Sequence, residues 1–153
     1  MTEVYYKNLK KIAANPAVQE LKKYPHHVRT TSYYHCLNVA MKSYAYAKRF
    51  HIKVREEELA RGAMLHDFYF YCARDEKMNG FRHGKEHPYV ALENARNNFE
   101  LSPVEENIIG SHMWPLNIRN IPRSREAVLV CIVDKICAVQ ERCGKVRAGL
   151  GGF

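Results

Sequence analysis

Apolar residues recur along most of the chain at the three- and four-residue spacing of an amphipathic helix. One clear stripe falls within residues 30–50 and consists of Leu37, Met41, Tyr44 and Ala45. No two segments show the strict alternation of apolar and polar residues that indicates paired, half-buried strands. The pattern therefore predicts an all-α fold, a single-domain helical bundle of about six or seven helices.

Two short helices are predicted near the N-terminus, over residues 2–14 and 16–24. Asn15 suits the N-cap of the second helix, and Pro16 suits its first position, where the missing N–H is not needed. We expect residues 1–29 to form a helical brace against the rest of the bundle.

Prolines and capping residues divide the second half of the chain. Residues 72–86 are predicted to form a long basic loop, followed by a helix over residues 88–99 that has a proline at its first position. Ser102 and Glu105 have the spacing of a capping box, which opens the next helix. The last long helix is expected to cover about residues 122–142.

The chain has 153 residues, of which 46% are hydrophobic and 26% charged, a composition typical of one soluble globular domain. We expect residues 30–142 to form the core of this domain and residues 143–153 a flexible tail. No stretch approaches the roughly 18 apolar residues of a membrane span, and the first residues lack the apolar segment of a signal peptide, so a cytoplasmic protein is expected. The five cysteines contain no C-x-x-C pair, which argues against a disulfide framework or a zinc knuckle.

The net charge of +8 favours anionic partners such as nucleotides, phosphorylated small molecules or RNA. Part of this charge is clustered in the predicted loop: Arg74, Lys77, Arg82, His83 and Lys85. The cluster is either part of a phosphate-binding site or a mobile, solvated loop.

Asp134 needs a partner, because it lies inside the apolar run of residues 128–139, which we expect to be among the most deeply buried segments. An isolated buried carboxylate is so costly that it normally protonates, pairs or binds a metal. Lys135 is adjacent, but neighbouring residues in a helix do not face each other. Five possible partners lie in helical segments upstream: His35, His66, Asp67, His87 and His112. Four imidazoles and two carboxylates are enough to hold two transition-metal ions.

Each candidate also has a simpler interpretation, because a single histidine on a helix is more often a hydrogen-bonded residue than a ligand. His87 suits an N-cap, and His112 suits a packing position beside Ile108. The adjacent His66 and Asp67 are stronger evidence, since they lie between apolar residues where only satisfied polar groups survive. No role is assigned to three other histidines: His26, His27 and His51.

Taken in order, the candidate ligands resemble the motif of the HD superfamily of metal-dependent phosphohydrolases, which is named for its His-Asp pair. The residues that match its two-metal branch are His35, His66, Asp67, His87, His112 and Asp134. The flanking residues agree, because residues 87–95 resemble the His-Pro helix of that branch and residues 108–115 its second histidine helix. Asp134 with Lys135 resembles its closing motif. The resemblance covers residues 30–140.

The resemblance implies two metal ions bridged by Asp67. One ion would be bound by Asp67 together with His35, His66 and Asp134, and the other by Asp67 together with His87 and His112. It also implies a hydrolase that cleaves a phosphate ester, with a nucleotide as the expected substrate class and a metal-bridging hydroxide as nucleophile. His66 and Asp67 are the expected catalytic residues.

Two divalent ions about 3.5 to 4 Å apart share a water, lower its pKa and stabilise charge on a phosphoryl group. Mixed nitrogen and oxygen ligands favour iron or manganese here, with zinc, cobalt and nickel as alternatives. Within this hypothesis, the basic residues of the loop and Lys135 are candidates for binding substrate phosphates. Lys135 also suits a side chain that extends outward from its helix.

Two other functions stay open. Some members of the superfamily use four histidines and two aspartates to hold a di-iron pair that activates O₂ for oxidative cleavage. A non-catalytic module that binds a nucleotide or RNA is the third possibility, although no exposed aromatics alternate with the basic residues. The oligomeric state is not predicted.

Overall fold

The computed structural model describes residues 1–26, 30–71 and 79–144. Within these ranges the chain forms seven α-helices, which confirms the predicted all-α bundle: α1 (Glu3–Ala13), α2 (Pro16–Gln19), α3 (Ser32–Arg49), α4 (Glu56–Leu65), α5 (Gly80–Asn98), α6 (Pro103–Ser111) and α7 (Arg125–Arg142). A short 3₁₀ helix, Glu20–Lys23, follows α2. No helix in the described part of the chain is long and apolar enough to cross a membrane. Most of the predicted tail lies outside the described residues.

Helices α3 and α4 form the centre of the bundle, with α1, α6 and α7 packed around them and α5 against α6. Leu37, Leu59 and Ile108 are fully buried in this core. Each such side chain stabilises the fold by roughly 1.5–3 kcal/mol. At the N-terminal end, the buried hydroxyl of Tyr5 on α1 donates a hydrogen bond to the carbonyl of Ala40 at 2.7 Å, which attaches α1 to α3.

The helix starts that were predicted from capping residues are confirmed. The side chain of Asn15 accepts a hydrogen bond from the N–H of Ala17 at 2.9 Å. Ser102 and Glu105 form the complete capping box, in which each side chain accepts from the other residue's backbone N–H, at 3.2 and 2.8 Å. At the start of α7, the Ser124 side chain caps the helix by accepting from the N–H of Ala127 at 3.0 Å.

A two-residue antiparallel pair was not predicted. Strands β1 (Pro25–His26) and β2 (Thr30–Thr31) pair with Pro25 opposite Thr31 and His26 opposite Thr30. Two residues are too few to show an alternating pattern, so the sequence carries no signal for them. The pair lies immediately before α3 and brings His26 beside the first turns of that helix.

The prediction that a helix begins at Pro88 is wrong. Helix α5 begins at Gly80, with the Asn79 side chain as its cap, and Pro88 lies in its interior. Because proline has no N–H, Pro88 cannot donate a hydrogen bond to the carbonyl of Gly84, four residues earlier. The next carbonyl, that of Lys85, accepts a hydrogen bond from the side chain of Asn117 at 3.1 Å, so the segment after α6 supports the helix at this point. Residues 80–86 of the predicted loop are therefore helical, and they include three members of the basic cluster: Arg82, His83 and Lys85.

The apolar run in α7 is buried on one side only. Asp134 is 7% exposed, as its position predicts, but Val128, Ile132 and Val139 are 45%, 52% and 61% exposed. A continuous apolar run does not reveal which of its faces the bundle covers. The face that carries Asp134 points into the bundle, toward α3 and α4.

Candidate metal centre

Six buried side chains that were predicted as metal ligands meet where five helices approach one another. They are His35 in the first turns of α3, His66 and Asp67 directly after α4, His87 within α5, His112 directly after α6, and Asp134 in the middle of α7. Their possible ligand atoms form two groups, each within 4.8 Å. One group contains His35, His66 and Asp134, and the other contains Asp67, His87 and His112.

The two imidazoles of the first group face Asp134 and also Asp67 of the second group. The Nε2 atoms of His35 and His66 lie 3.0 and 3.6 Å from Oδ1 of Asp134. The same two nitrogens lie 3.8 and 3.7 Å from Oδ2 of Asp67. Two nitrogens and two carboxylate oxygens therefore surround one point between α3, α4 and α7.

In the second group, Asp67 uses its other oxygen. Its Oδ1 lies 3.2 Å from Nε2 of His87 and 3.3 Å from Nε2 of His112. Oδ2 of Asp67 faces the first group and Oδ1 the second, so this one carboxylate contacts both groups. The two Nε2 atoms of this group are only 2.7 Å apart.

All four imidazoles are held by their Nδ1 atoms, so that Nε2 faces the carboxylates. Three of them donate from Nδ1 to a backbone carbonyl: His66 to Ala63 at 2.8 Å, His112 to Ile109 at 2.7 Å and His87 to His83 at 2.8 Å. The fourth, His35, donates from Nδ1 to the carboxylate of Glu141 at 3.0 Å. These oxygens only accept hydrogen bonds, so each Nδ1 carries a proton. In the neutral ring, Nε2 then presents its lone pair, as metal-binding histidines require.

The chemistry of the residues present fits divalent metal ions. Among the described residues, Nε2 of His66 and Oδ1 of Asp67 are buried without a hydrogen-bond partner. Buried polar atoms are rarely left in this state. The facing Nε2 atoms of His87 and His112 also need a proton or another cation between them. Ions bound by these atoms would satisfy all of them, and the mixed nitrogen and oxygen donors suit iron, manganese, cobalt, nickel or zinc.

The centre is strongly charged when no metal is bound. Burial by itself would raise the pKa values of Asp67 and Asp134, but the adjacent imidazoles hold both well below the usual range. Burial likewise disfavours a charged His35, yet its hydrogen bonds to Asp134 and Glu141 raise its pKa to about 10. Burial also disfavours a charged His66, but Asp67, Cys36 and Asp134 together raise its pKa well above the usual value. Both imidazoles hold protons that a metal ion must displace.

The basic residues of the cluster that were predicted to bind phosphate lie apart from the six central residues wherever the structure describes them, with the exception of His83. Arg74 and Lys77 lie outside the described residues. Arg82 is exposed and donates from Nε to the carboxylate of a glutamate one turn later at 2.8 Å. Lys85 is exposed as well, and its ammonium lies 4.7 Å from the centre of the Phe81 ring. Neither of these two described side chains forms a hydrogen bond or an ion pair with the six central residues.

His83 is the one member of the basic cluster, within the described residues, that has a ring contact with the centre. Its ring stacks on His87 at 4.7 Å between centroids, and Nδ1 lies 3.2 Å from the hydroxyl of Tyr71. Burial, and then the charge of His87, lower the pKa of His83 to about 4. At neutral pH this side chain is therefore an uncharged hydrogen-bonding group.

Lys135 joins two helices. Its ammonium donates hydrogen bonds to the carbonyl of His112 at 2.8 Å and to the carbonyl of Cys131 at 3.0 Å. The charge therefore lies at the C-terminal end of α6, where a cation is favourable. In this arrangement the side chain supports the backbone of a central histidine.

Two residues beside the centre were missed in the sequence. Glu141 accepts hydrogen bonds from His35 and from the side-chain amide of Asn38, the latter at 3.3 Å. Glu141 follows Asp134 by seven residues, which places both on one face of α7, so this spacing could have revealed it. His26 was assigned no role, yet its Nε2 lies 3.1 Å from Oδ2 of Asp67. Nothing local in the sequence indicates that contact, because it depends on the β1–β2 pair.

The fold and the centre together define an all-α protein with a buried histidine and aspartate cluster suited to divalent metals. The chain matches the family model of the HD domain over residues 32–139, more than two thirds of its length. It therefore belongs to the HD domain family, whose members are generally metal-dependent hydrolases, and the resemblance seen in the sequence is confirmed. Searches of curated proteins and of solved structures found no significant match.

Proposed function

We propose that the protein is a metal-dependent phosphohydrolase that cleaves a phosphate ester, with nucleotides as its substrate class. One observation supports this most directly. Asp67 directs one oxygen toward His35 and His66 and the other toward His87 and His112. A carboxylate shared in this way suits two neighbouring ions, and two-ion sites are common in phosphate-ester hydrolysis.

In this proposal, one ion is held by His35, His66, Asp67 and Asp134, and the other by Asp67, His87 and His112. When bound, the ion pair acidifies a shared water and stabilises the charge that develops on the phosphoryl group. The protein chain fixes the orientation of the side chains that would bind the ions. Hydrogen bonds to Nδ1 fix each imidazole, and His66 and Asp67, consecutive in the chain at the end of α4, are held by the same short segment.

The nucleotide class is supported by charge. The net charge is +8, and the exposed Arg82 and Lys85 lie on the first turns of α5, the helix that carries His87. We propose that these side chains, with Arg74 and Lys77, attract or contact substrate phosphates, and that Lys135 instead holds the backbone of His112. The uncharged His83, stacked on His87, would add a hydrogen-bonding group beside the second ion.

The test is a hydrolysis assay on protein that has been stripped of metal and reloaded with Mn²⁺ or with Fe²⁺. Nucleoside phosphates, dinucleoside polyphosphates and nitrophenyl phosphate esters would be compared for wild type, Asp67→Asn and the control Glu57→Gln. Glu57 is an exposed acid on α4, so its variant controls for the loss of a carboxylate in the same helix. We expect metal-dependent hydrolysis in wild type and in the control, and a loss of about 100-fold or more in Asp67→Asn. Equal activity in Asp67→Asn and wild type would refute the proposal.

The oxygenase alternative uses the same six residues, so it is tested on the same preparations. O₂ consumption would be recorded on iron-loaded protein with each candidate substrate, with and without air. Hydrolysis predicts phosphate release that is the same in both atmospheres. Product formation only in air, with O₂ consumed in step, would replace the hydrolase with an oxygenase.

A further inference from the structure

His26 lies against the metal centre, although it belongs to a different part of the chain from the six motif residues. It is on β1, and its side chain is 10% exposed. Its Nε2 lies 3.1 Å from Oδ2 of Asp67, the oxygen that faces the group of His35 and His66. His26, His35 and Asp67 also meet the geometric requirements for three ligands of one metal ion.

His26 repeats the arrangement of His35. The two imidazoles stack at 4.0 Å between centroids, with only 23° between their planes. Each directs Nδ1 toward Oε2 of Glu141, at 3.0 Å for His35 and 3.7 Å for His26. Each also directs Nε2 toward Oδ2 of Asp67, at 3.8 and 3.1 Å respectively. A ring held in the same orientation as a motif histidine, between the same two carboxylates, offers the same donor atom to a metal.

We propose that His26 is a seventh metal ligand, which binds through Nε2 to the ion held by His35, His66, Asp67 and Asp134. The inference rests on the metal centre of the proposed function and extends it. With His26, the first ion has five protein ligands, whereas the second has three from Asp67, His87 and His112. The second ion then keeps more positions for substrate, since catalytic metal ions need open positions and closed ones serve structure.

A competing role is that His26 only donates a hydrogen bond to Asp67 and so orients that carboxylate. Both roles use Nε2, but they differ in what can replace the imidazole. The amide of a glutamine donates a hydrogen bond, yet it is a poor ligand for transition metals, which prefer imidazole nitrogen. His26→Gln therefore separates the two roles, and His26→Ala removes both.

The experiment measures metal binding, not turnover. Metal-free wild type, His26→Gln, His26→Ala and the control His51→Asn would be titrated with Mn²⁺ and with Co²⁺, with elemental analysis for stoichiometry and the visible Co²⁺ spectrum for coordination. His51 is an exposed histidine with φ of 54°, a backbone conformation that asparagine tolerates. We expect both His26 variants to bind the first ion about 10- to 100-fold more weakly and to change the Co²⁺ spectrum. The control should match wild type.

Three results overturn the inference. The first is that His26→Gln retains wild-type affinity and spectrum while His26→Ala does not, which shows an orienting role only. The second is a crystal structure of the metal-loaded wild type in which the ions are bound by the six motif residues and His26 Nε2 still bonds Asp67. The third is a wild type that binds no metal, in which case the proposed function fails as well. In the first two cases the proposed function stands, so the failures are distinguishable.

Discussion

Glu141 accepts a hydrogen bond from Nδ1 of His35 at 3.0 Å, on the side of the ring opposite Asp134. The two carboxylates are seven residues apart on α7, so one helix holds both nitrogens of a histidine on α3. Glu141 therefore fixes the orientation of the ring whose Nε2 faces Asp134.

Replacing Glu141 with alanine should weaken binding of the first metal ion by about 10- to 100-fold, because outer carboxylates orient ligating histidines. Isothermal titration of the metal-free protein with Mn²⁺ would measure the change. Glu93→Ala, which removes an exposed glutamate of α5, should leave the affinity unchanged. Equal affinities for Glu141→Ala and Glu93→Ala would show that the contact with His35 does not matter for metal binding.

Metal binding should release protons and strengthen as the pH rises. The pKa of His35 is raised to about 10 and that of His66 is raised as well, so both imidazoles are protonated in the metal-free protein at neutral pH. An ion that binds Nε2 must displace those protons. Titrations between pH 6 and 9, in buffers with different ionisation enthalpies, would measure the release. Binding that is independent of pH, with no proton release, would contradict the charge state described for the centre.

The metal-free protein should lose stability in alkaline solution through His35. Its folded-state pKa, about 10, lies above the ordinary 6.5. The protonated ring therefore adds stability that is complete below pH 6.5 and is lost as the pH rises through 10. Denaturant unfolding of metal-free wild type and His35→Gln should show a stability difference that narrows between pH 7 and 10. A constant difference across that range would speak against this linkage.

Gly62 is required where α4 and α6 approach each other. A Cβ atom at this position would lie 2.5 Å from Cδ1 of Ile108, so Gly62→Ala should lower the free energy of unfolding by about 1–3 kcal/mol. Gly80→Ala is the matched control, because a Cβ there meets nothing within 4 Å. Adding Ile108→Val, which removes Cδ1, should restore part of the loss. No difference between the two alanine variants in denaturant unfolding would contradict this packing.

The close contact between Gly62 and Ile108 also affects the metal centre. Helix α4 leads directly into His66 and Asp67, and α6 leads directly into His112. We therefore expect Gly62→Ala to reduce metal affinity as well as stability.

Much of the fold was predictable because its signals are local. Asn15, Ser102 and Glu105 accept the hydrogen bonds that their positions predict. The start of α5 was missed because a proline usually opens a helix, whereas Pro88 is tolerated inside this one.

The six central residues could be found because their order matches a family motif and because three of them also have a strong local signal. His66 and Asp67 are flanked by apolar residues, and Asp134 lies within an apolar run. His26 has no such signal, and Glu141 has only its seven-residue spacing from Asp134. Their roles depend on how β1 and the end of α7 pack against His35, a tertiary contact that spans 106 residues between His35 and Glu141.

The metal content of the protein tests the central claim most directly. Protein purified without added metal would be analysed for transition elements, and metal-free protein would be reloaded with Mn²⁺ or Fe²⁺ and analysed again. We predict about two ions per chain in wild type and clearly fewer bound ions in Asp67→Asn, because the carboxylate of Asp67 faces both groups of ligands. A wild-type protein that holds no ions before or after reloading would contradict the dinuclear centre.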